Sequence, residues 1–135
     1  MCFIKENIKL KVAKRDIRVI KAVYDNVSYV ISPVKQYKYE FNKEYVSQII
    51  IKECDYFQTV DVALHSYSRN CNVSEDGNFI KIEKNGKLSG FYNKGIIFVD
   101  CIIPQGAHYD YNGDGEYISD RIKIIGKKKE FTLTK

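Results

Sequence analysis

The sequence predicts an α+β fold that is predominantly β: a single small domain, residues 1–135, on an antiparallel or mixed sheet with few short helices. Three observations predict it. Short runs rich in Val, Ile, Tyr and Phe alternate apolar with polar residues. Few stretches sustain the 3.6-residue apolar period of a helix. Asn, Asp, Gly and Pro punctuate the runs at short intervals, with no repeat, low-complexity tract or linker to divide the chain.

The elements follow in order. Residues 16–24 (DIRVIKAVY) and 27–32 (VSYVIS) read as strands joined by turn chemistry at Asp25 and Asn26, a hairpin that Pro33 stops. In 36–45 (QYKYEFNKEY) aromatic residues at Tyr37, Tyr39 and Phe41 alternate with polar ones, as in a half-buried extended segment. Residues 46–53 (VSQIIIKE) and 59–68 (TVDVALHSYS) are short and β-branched enough to favour strand. The polar cluster 68–78 (SRNCNVSEDGN) reads as a loop or one helical turn. Within FIKIEKNGKLSGFY, Asn85 and Gly86 tolerate the positive φ of a type I′ turn, and alternating residues flank them: a hairpin. Residues 95–103 (GIIFVDCII) hold Asp100 as their only charge and suit a central strand covered on both faces. The alternating runs 121–125 (RIKII) and 130–134 (EFTLT) close the chain.

Composition narrows the function classes. No apolar run approaches the roughly 20 residues that span a bilayer as a helix, and Lys5 and Glu6 interrupt the first apolar patch, so no secretory leader is read. A cytoplasmic protein without membrane contact is expected. Cys2, Cys54, Cys71 and Cys101 are widely spaced and lack zinc-ligand intervals, which suits free or buried thiols. The net charge of +5 admits an anionic partner, yet no helix-turn-helix, RNA-binding signature or zinc finger marks nucleic acid as that partner. Lys127, Lys128 and Lys129 read as a solvated strand end that discourages edge pairing.

One stretch concentrates the chemistry. CIIPQGAHYDYNGDGEYISDRIKII, 101–125, brings His108, Tyr109, Tyr111, Glu116, Tyr117 and Arg121 around a glycine-rich turn. Asp110, Asn112, Asp114 and Gly115 match the first half of an EF-hand loop, but Arg121 stands where that loop needs its bidentate Glu. No metal site is assigned. Tyrosine offers a stacking face and a hydroxyl, glycine amides approach phosphate closely, and Arg121 supplies a fork for an anion. The candidate ligand-binding residues are therefore His65, Ser66, Tyr67, His108, Tyr109, Glu116, Tyr117 and Arg121, expected to line one shared concavity. Cys101 lies in an apolar strand and no nucleophile motif accompanies the histidines, so no catalytic residue is assigned.

The same ending resembles that of small uncharacterised proteins of gut-bacterial and bacteriophage genomes, Cys-x-Ile-Pro-x-Gly-x-x-Tyr followed by Gly-Glu-Tyr-x-Ser-x-x-Ile-x-Ile, and LHSYS at 64–68 is similar to an aromatic-flanked His-Ser element in them. That resemblance implies a phage or mobile-element origin. A weaker one runs to ADP-ribosyltransferases: GEYIS puts Glu116 in the place of their late glutamate, with Arg18, His65, Ser66 and Ser68 upstream and the Glu-x-Glu pair absent. Three readings stay open: a phage-type accessory protein that binds an anionic, nucleotide-like ligand without a cofactor or catalysis, in antagonism of host defence signalling; an ADP-ribosyltransferase-like enzyme acting on a nicotinamide dinucleotide; and a module that binds a host protein. Oligomeric state is not legible.

Overall fold

The computed structural model describes residues 3–25, 30–31 and 38–126. Every regular element among them is a strand, so the expected helices are a correction: the segments without a clean strand pattern form turns, bends and one further strand. The strands are β1 (Lys11–Val12), β2 (Ile17–Asp25), β3 (Val30–Ile31), β4 (Lys38–Tyr39), β5 (Glu44–Val46), β6 (Ile50–Glu53), β7 (Gln58–Val62), β8 (Leu64–Ser68), β9 (Asn72–Asp76), β10 (Phe79–Lys84), β11 (Lys87–Asn93), β12 (Ile96–Ile103), β13 (His108–Tyr111), β14 (Glu116–Ser119) and β15 (Arg121–Ile124).

Every pairing among them is antiparallel. The main sheet runs β1-β13-β14-β8-β2-β12-β15-β5, with β3 and β4 continuing from β2. Only Asp120 separates β14 from β15. This bent segment pairs β8 with its first half and β12 with its second, while β2 lies between those two partners. The path from β14 through β8, β2 and β12 to β15 therefore comes back to the same bent segment, and this part of the sheet coils into a ring with an inner and an outer face.

Alternation along each strand sorts residues between the faces. Inward lie Val19 and Val23 of β2, Leu64 of β8, Val99, Cys101 and Ile103 of β12, and Ile122 and Ile124 of β15, packed with Tyr39 and Ala107 as the largest buried cluster. The apolar run 95–103 is the central strand its composition requires, since β12 is paired along its length with β2 on one side and, at Cys101 and Ile102, with β15 on the other. The outer face is covered twice. Tyr67, Ile20, Ala22 and Phe98 pack against Val73, Ile80 and Ile82 of the three-stranded sheet β11-β10-β9. Ile118 packs against Phe3, Ile8, Ile49, Val60 and Ala63, from the N-terminal segment and around the β6-β7 hairpin.

Local expectations meet mixed outcomes. Asn85 (φ 53°) and Gly86 (φ 76°) both adopt positive φ between β10 and β11, as a type I′ turn requires. β3 pairs antiparallel with β2, while the turn at Asn26 lies outside the described residues, as do 130–134 and the lysines at 127–129. The cluster 68–78 is not simply a loop, because Asn72–Asp76 forms the edge strand β9, with Val73 buried against Ile82. The run 59–68 divides at Ala63 into β7 and β8, which belong to different sheets. Cys54, Cys71 and Cys101 are free thiols.

Candidate functional site

β14 owes its two characters to alternation: Glu116 and Ile118 face outward, Tyr117 and Ser119 inward. The turn before it is fixed by Asn112, whose Oδ1 accepts from the backbone N–H of Asp114 (2.8 Å) and of Glu116 (3.1 Å). Gly115 (φ 99°) packs so closely that a Cβ there would lie 2.7 Å from Cys71 Sγ. The EF-hand oxygens therefore go separate ways. Asp110 pairs with Lys5, Asn112 caps the turn, Asp114 faces Lys87 and Glu116 reaches His65. Among the described residues no cluster of three or more His, Cys, Asp or Glu gathers to hold a metal ion.

On the outer face each histidine meets an acid from the 116–120 segment. Ile118 lies opposite His65 in the ladder, which sets His65 Nδ1 3.1 Å from Glu116 Oε2. The Glu116 side chain is 3% exposed and that of His65 40%. Tyr67, next inward along the same face, shares a 2.6 Å hydroxyl contact with Tyr92 of β11. Burial first, then the neighbouring phenol and carboxylate, push the Tyr67 hydroxyl well above the usual phenol range, and burial raises Tyr92 too. Beside them the Cys71 thiol is pushed up to about 11, chiefly by burial.

The second pair sits at the strand bend. His108 donates its backbone N–H to Asp120 Oδ1 (2.9 Å), and its ring Nδ1 lies 3.0 Å from Asp120 Oδ2. Both of these contacts use Nδ1 and the backbone and leave the ring's Nε2 unused among the described residues. The two side chains line an open groove of about 350 Å³, whose other walls are Leu10, Ser47, Gln48, Ile49 and Ile50. Ser47 closes that end by donating its backbone N–H to Asp120 O (2.8 Å). Arg121 donates to Gly106 O (2.8 Å), with Glu44 3.8 Å and Asp120 Oδ1 4.0 Å off.

The eight candidate residues thus do not share one concavity. His65, Tyr67 and Glu116 meet on the outer face; His108 lines the groove; Ser66, Tyr109 and Tyr117 face inward, Ser66 directly opposite Tyr117; Arg121 holds a loop carbonyl. Tyr109, Tyr111 and Tyr117 form a ring cluster, with centroids 4.5 Å apart for Tyr111 and Tyr117.

Three residues have roles that the sequence did not assign them. Asp120 is one, and Asp110 is another: fully buried, it accepts from Lys5 Nζ (2.9 and 3.0 Å), Lys9 N (3.0 Å) and Tyr111 N (2.9 Å). Lys21 is the third, only 7% exposed and inward between Val19 and Val23. Its Nζ donates to His65 O (2.5 Å) and lies 5.3 Å from the centroid of the Tyr39 ring. Burial lowers its affinity for a proton, offset in part by Cys101 and Glu116. Compared with family models, curated proteins and solved structures, the chain matches none.

Proposed function

We propose that the protein is a phage-type accessory protein that binds a small anionic, nucleotide-like ligand without transforming it, and that the groove beside His108 and Asp120 receives the ligand. The carrying observation is the groove itself. At about 350 Å³ it falls in the size range of small-molecule sites, and it joins apolar walls at Leu10, Ile49 and Ile50 to an oriented imidazole. Apolar walls of this kind suit packing against a flat heterocycle. The Asp120 contact through Nδ1 fixes the ring of His108 and leaves Nε2 as its unengaged polar atom among the described residues, available to a ligand. The net charge of +5 suits an anionic guest.

The groove offers no activated nucleophile, because the Ser47 hydroxyl donates to Gln48 O (3.2 Å) and faces no base among the described residues. The transferase alternative draws less support. Ser66 and Ser68 are on the inner face, while Glu116 is buried on the outer one against His65. The host-protein alternative has no residue pattern to favour it over the groove.

Calorimetric titration with linear and cyclic nucleotides tests the reading. Heat is expected with at least one of them, weakened tenfold or more by His108→Ala at unchanged thermal stability, since the His108 side chain is 53% exposed. No heat with any nucleotide would remove the proposal. Nicotinamide release from a dinucleotide by the wild type would replace it with the transferase.

A further inference from the structure

The interior of the coiled sheet holds an unusual donor set. Lys21 on β2 has three ammonium hydrogens, of which one is used on His65 O, and no carboxylate lies within ion-pair distance among the described residues. Ser66 on β8 and Ser119 on β14 are each fully buried, and among the described residues neither Oγ has a hydrogen-bond partner. All three side chains face inward. Register and alternation set their placement: β2 pairs β8 at Val19↔Ser68 and Ile20↔Tyr67, and Lys21 and Ser66 are the residues that follow that last pair on the two strands, both on the inner face. Ser66 faces Tyr117, and Ser119, opposite Leu64, is the next inward residue of that strand, a diagonal neighbour of Ser66 about 7–8 Å away. The bond from Lys21 Nζ to the carbonyl of His65 shows that the side chain reaches this part of β8.

Charge and donors decide what could complete the set. A buried ammonium without a counter-charge is costly, and orphaned hydroxyls add to that cost. A cation is excluded by the lysine, and a neutral guest satisfies the hydroxyls but not the charge. Val19, Val99 and Cys101, all fully buried, belong to the same inner cluster, and an interior packed in this way does not admit an extended molecule. We propose that Lys21, Ser66 and Ser119 form an internal site for a small inorganic anion of halide size, separate from the groove on the outer face.

Protonation couples to such a site. Burial disfavours the ammonium, and an anion beside it restores the proton, so binding strengthens as pH falls. The other titratable groups facing Lys21 do not supply the missing charge. The Cys101 thiol is pushed up to about 12 by burial and stays neutral, Tyr117 is raised by burial, and Tyr39 presents its ring. Glu116 acts only across the sheet, where His65 engages it.

Sodium bromide is the probe. Diffraction at the bromine edge from soaked crystals is expected to show bromide within hydrogen-bonding distance of Lys21 Nζ. In solution, raising bromide tenfold at ionic strength held constant with sodium gluconate, whose anion is too large for the interior, is expected to raise Tm by about 3–6 °C once the site fills. Ser66→Ala/Ser119→Ala retains the lysine and is expected to lose most of that rise, and Lys21→Met all of it. Bromide found only on the surface, or the same rise in the double serine variant as in the wild type, would overturn the inference.

Discussion

Replacing Asp110 by Ala tests how the N-terminal segment is held to the ring. The carboxylate is fully buried and accepts from Lys5 Nζ, Lys9 N and Tyr111 N at 2.9–3.0 Å. Alanine leaves two backbone amides without partners, each worth about 1–3 kcal/mol when buried. The Lys5 side chain is 28% exposed, so its ammonium turns toward water and adds less than a fully buried charge would. Removing one member of a buried pair typically costs about 3–5 kcal/mol, and we expect that range here. This is a large share of the roughly 5–15 kcal/mol total of an ordinary domain, and it lowers Tm by about 10–20 °C. Urea unfolding measures it, with the midpoint falling at constant slope. Asp110→Asn keeps one acceptor and is expected to lose about half as much, which guards against a variant that fails to fold. Hydrogen exchange at the Lys9 and Tyr111 amides should quicken in both. A loss below about 1 kcal/mol for the alanine variant would refute the reasoning.

Other expectations follow from packing and titration. Gly90→Ala would place a Cβ 2.6 Å from Tyr67 Oη, and Tyr67 is held there by Tyr92, so a loss of about 2–3 kcal/mol in chemical denaturation is expected; unchanged stability would mean the ring moves freely. Thiol labelling at pH 8 with peptide mapping should modify Cys54 well before Cys71 and Cys101, whose pKa values burial raises to about 11 and about 12; early modification of Cys101 would contradict its burial. Lys21 titrates below its ordinary 10.5 when folded, so above its folded pKa the unfolded chain binds more protons and its contribution to stability improves as pH rises toward 10.5. Lys21→Met should therefore be more stable than wild type near neutrality in low salt, with the gap narrowing toward pH 10; a gap that widens with pH would reverse the sign.

Local chemistry carried part of the fold into the sequence. The Asn85-Gly86 turn and the apolar run that becomes β12 were legible because each is decided by a few adjacent residues: tolerance of positive φ in one, burial on both faces in the other. β9 was not, since its polar composition at Asn72, Ser74, Glu75 and Asp76 suits an edge strand with one buried residue, Val73, and such a strand lacks a periodic signal. The contact of His65 with Glu116 spans 51 residues and depends on β8 pairing β14, which no local pattern specifies. The division of the candidate site between two faces was in principle readable: Ser66 alternates with His65 and Tyr67, and Tyr117 with Glu116, so one strand could not offer them all to one side. Lys21 carried a similar signal, a charged residue in register with Val19 and Val23.

The closing of the ring by the bent segment 116–124 has a consequence for biosynthesis. β2, β8 and β12 all leave the ribosome before the segment that joins them, so the edges of β8 and β12 stay open until that segment has itself emerged. Unfinished edges of this kind recruit other strands. A nascent chain stalled before Glu116 would thus be a sticky object, dependent on chaperones in a way the finished protein is not.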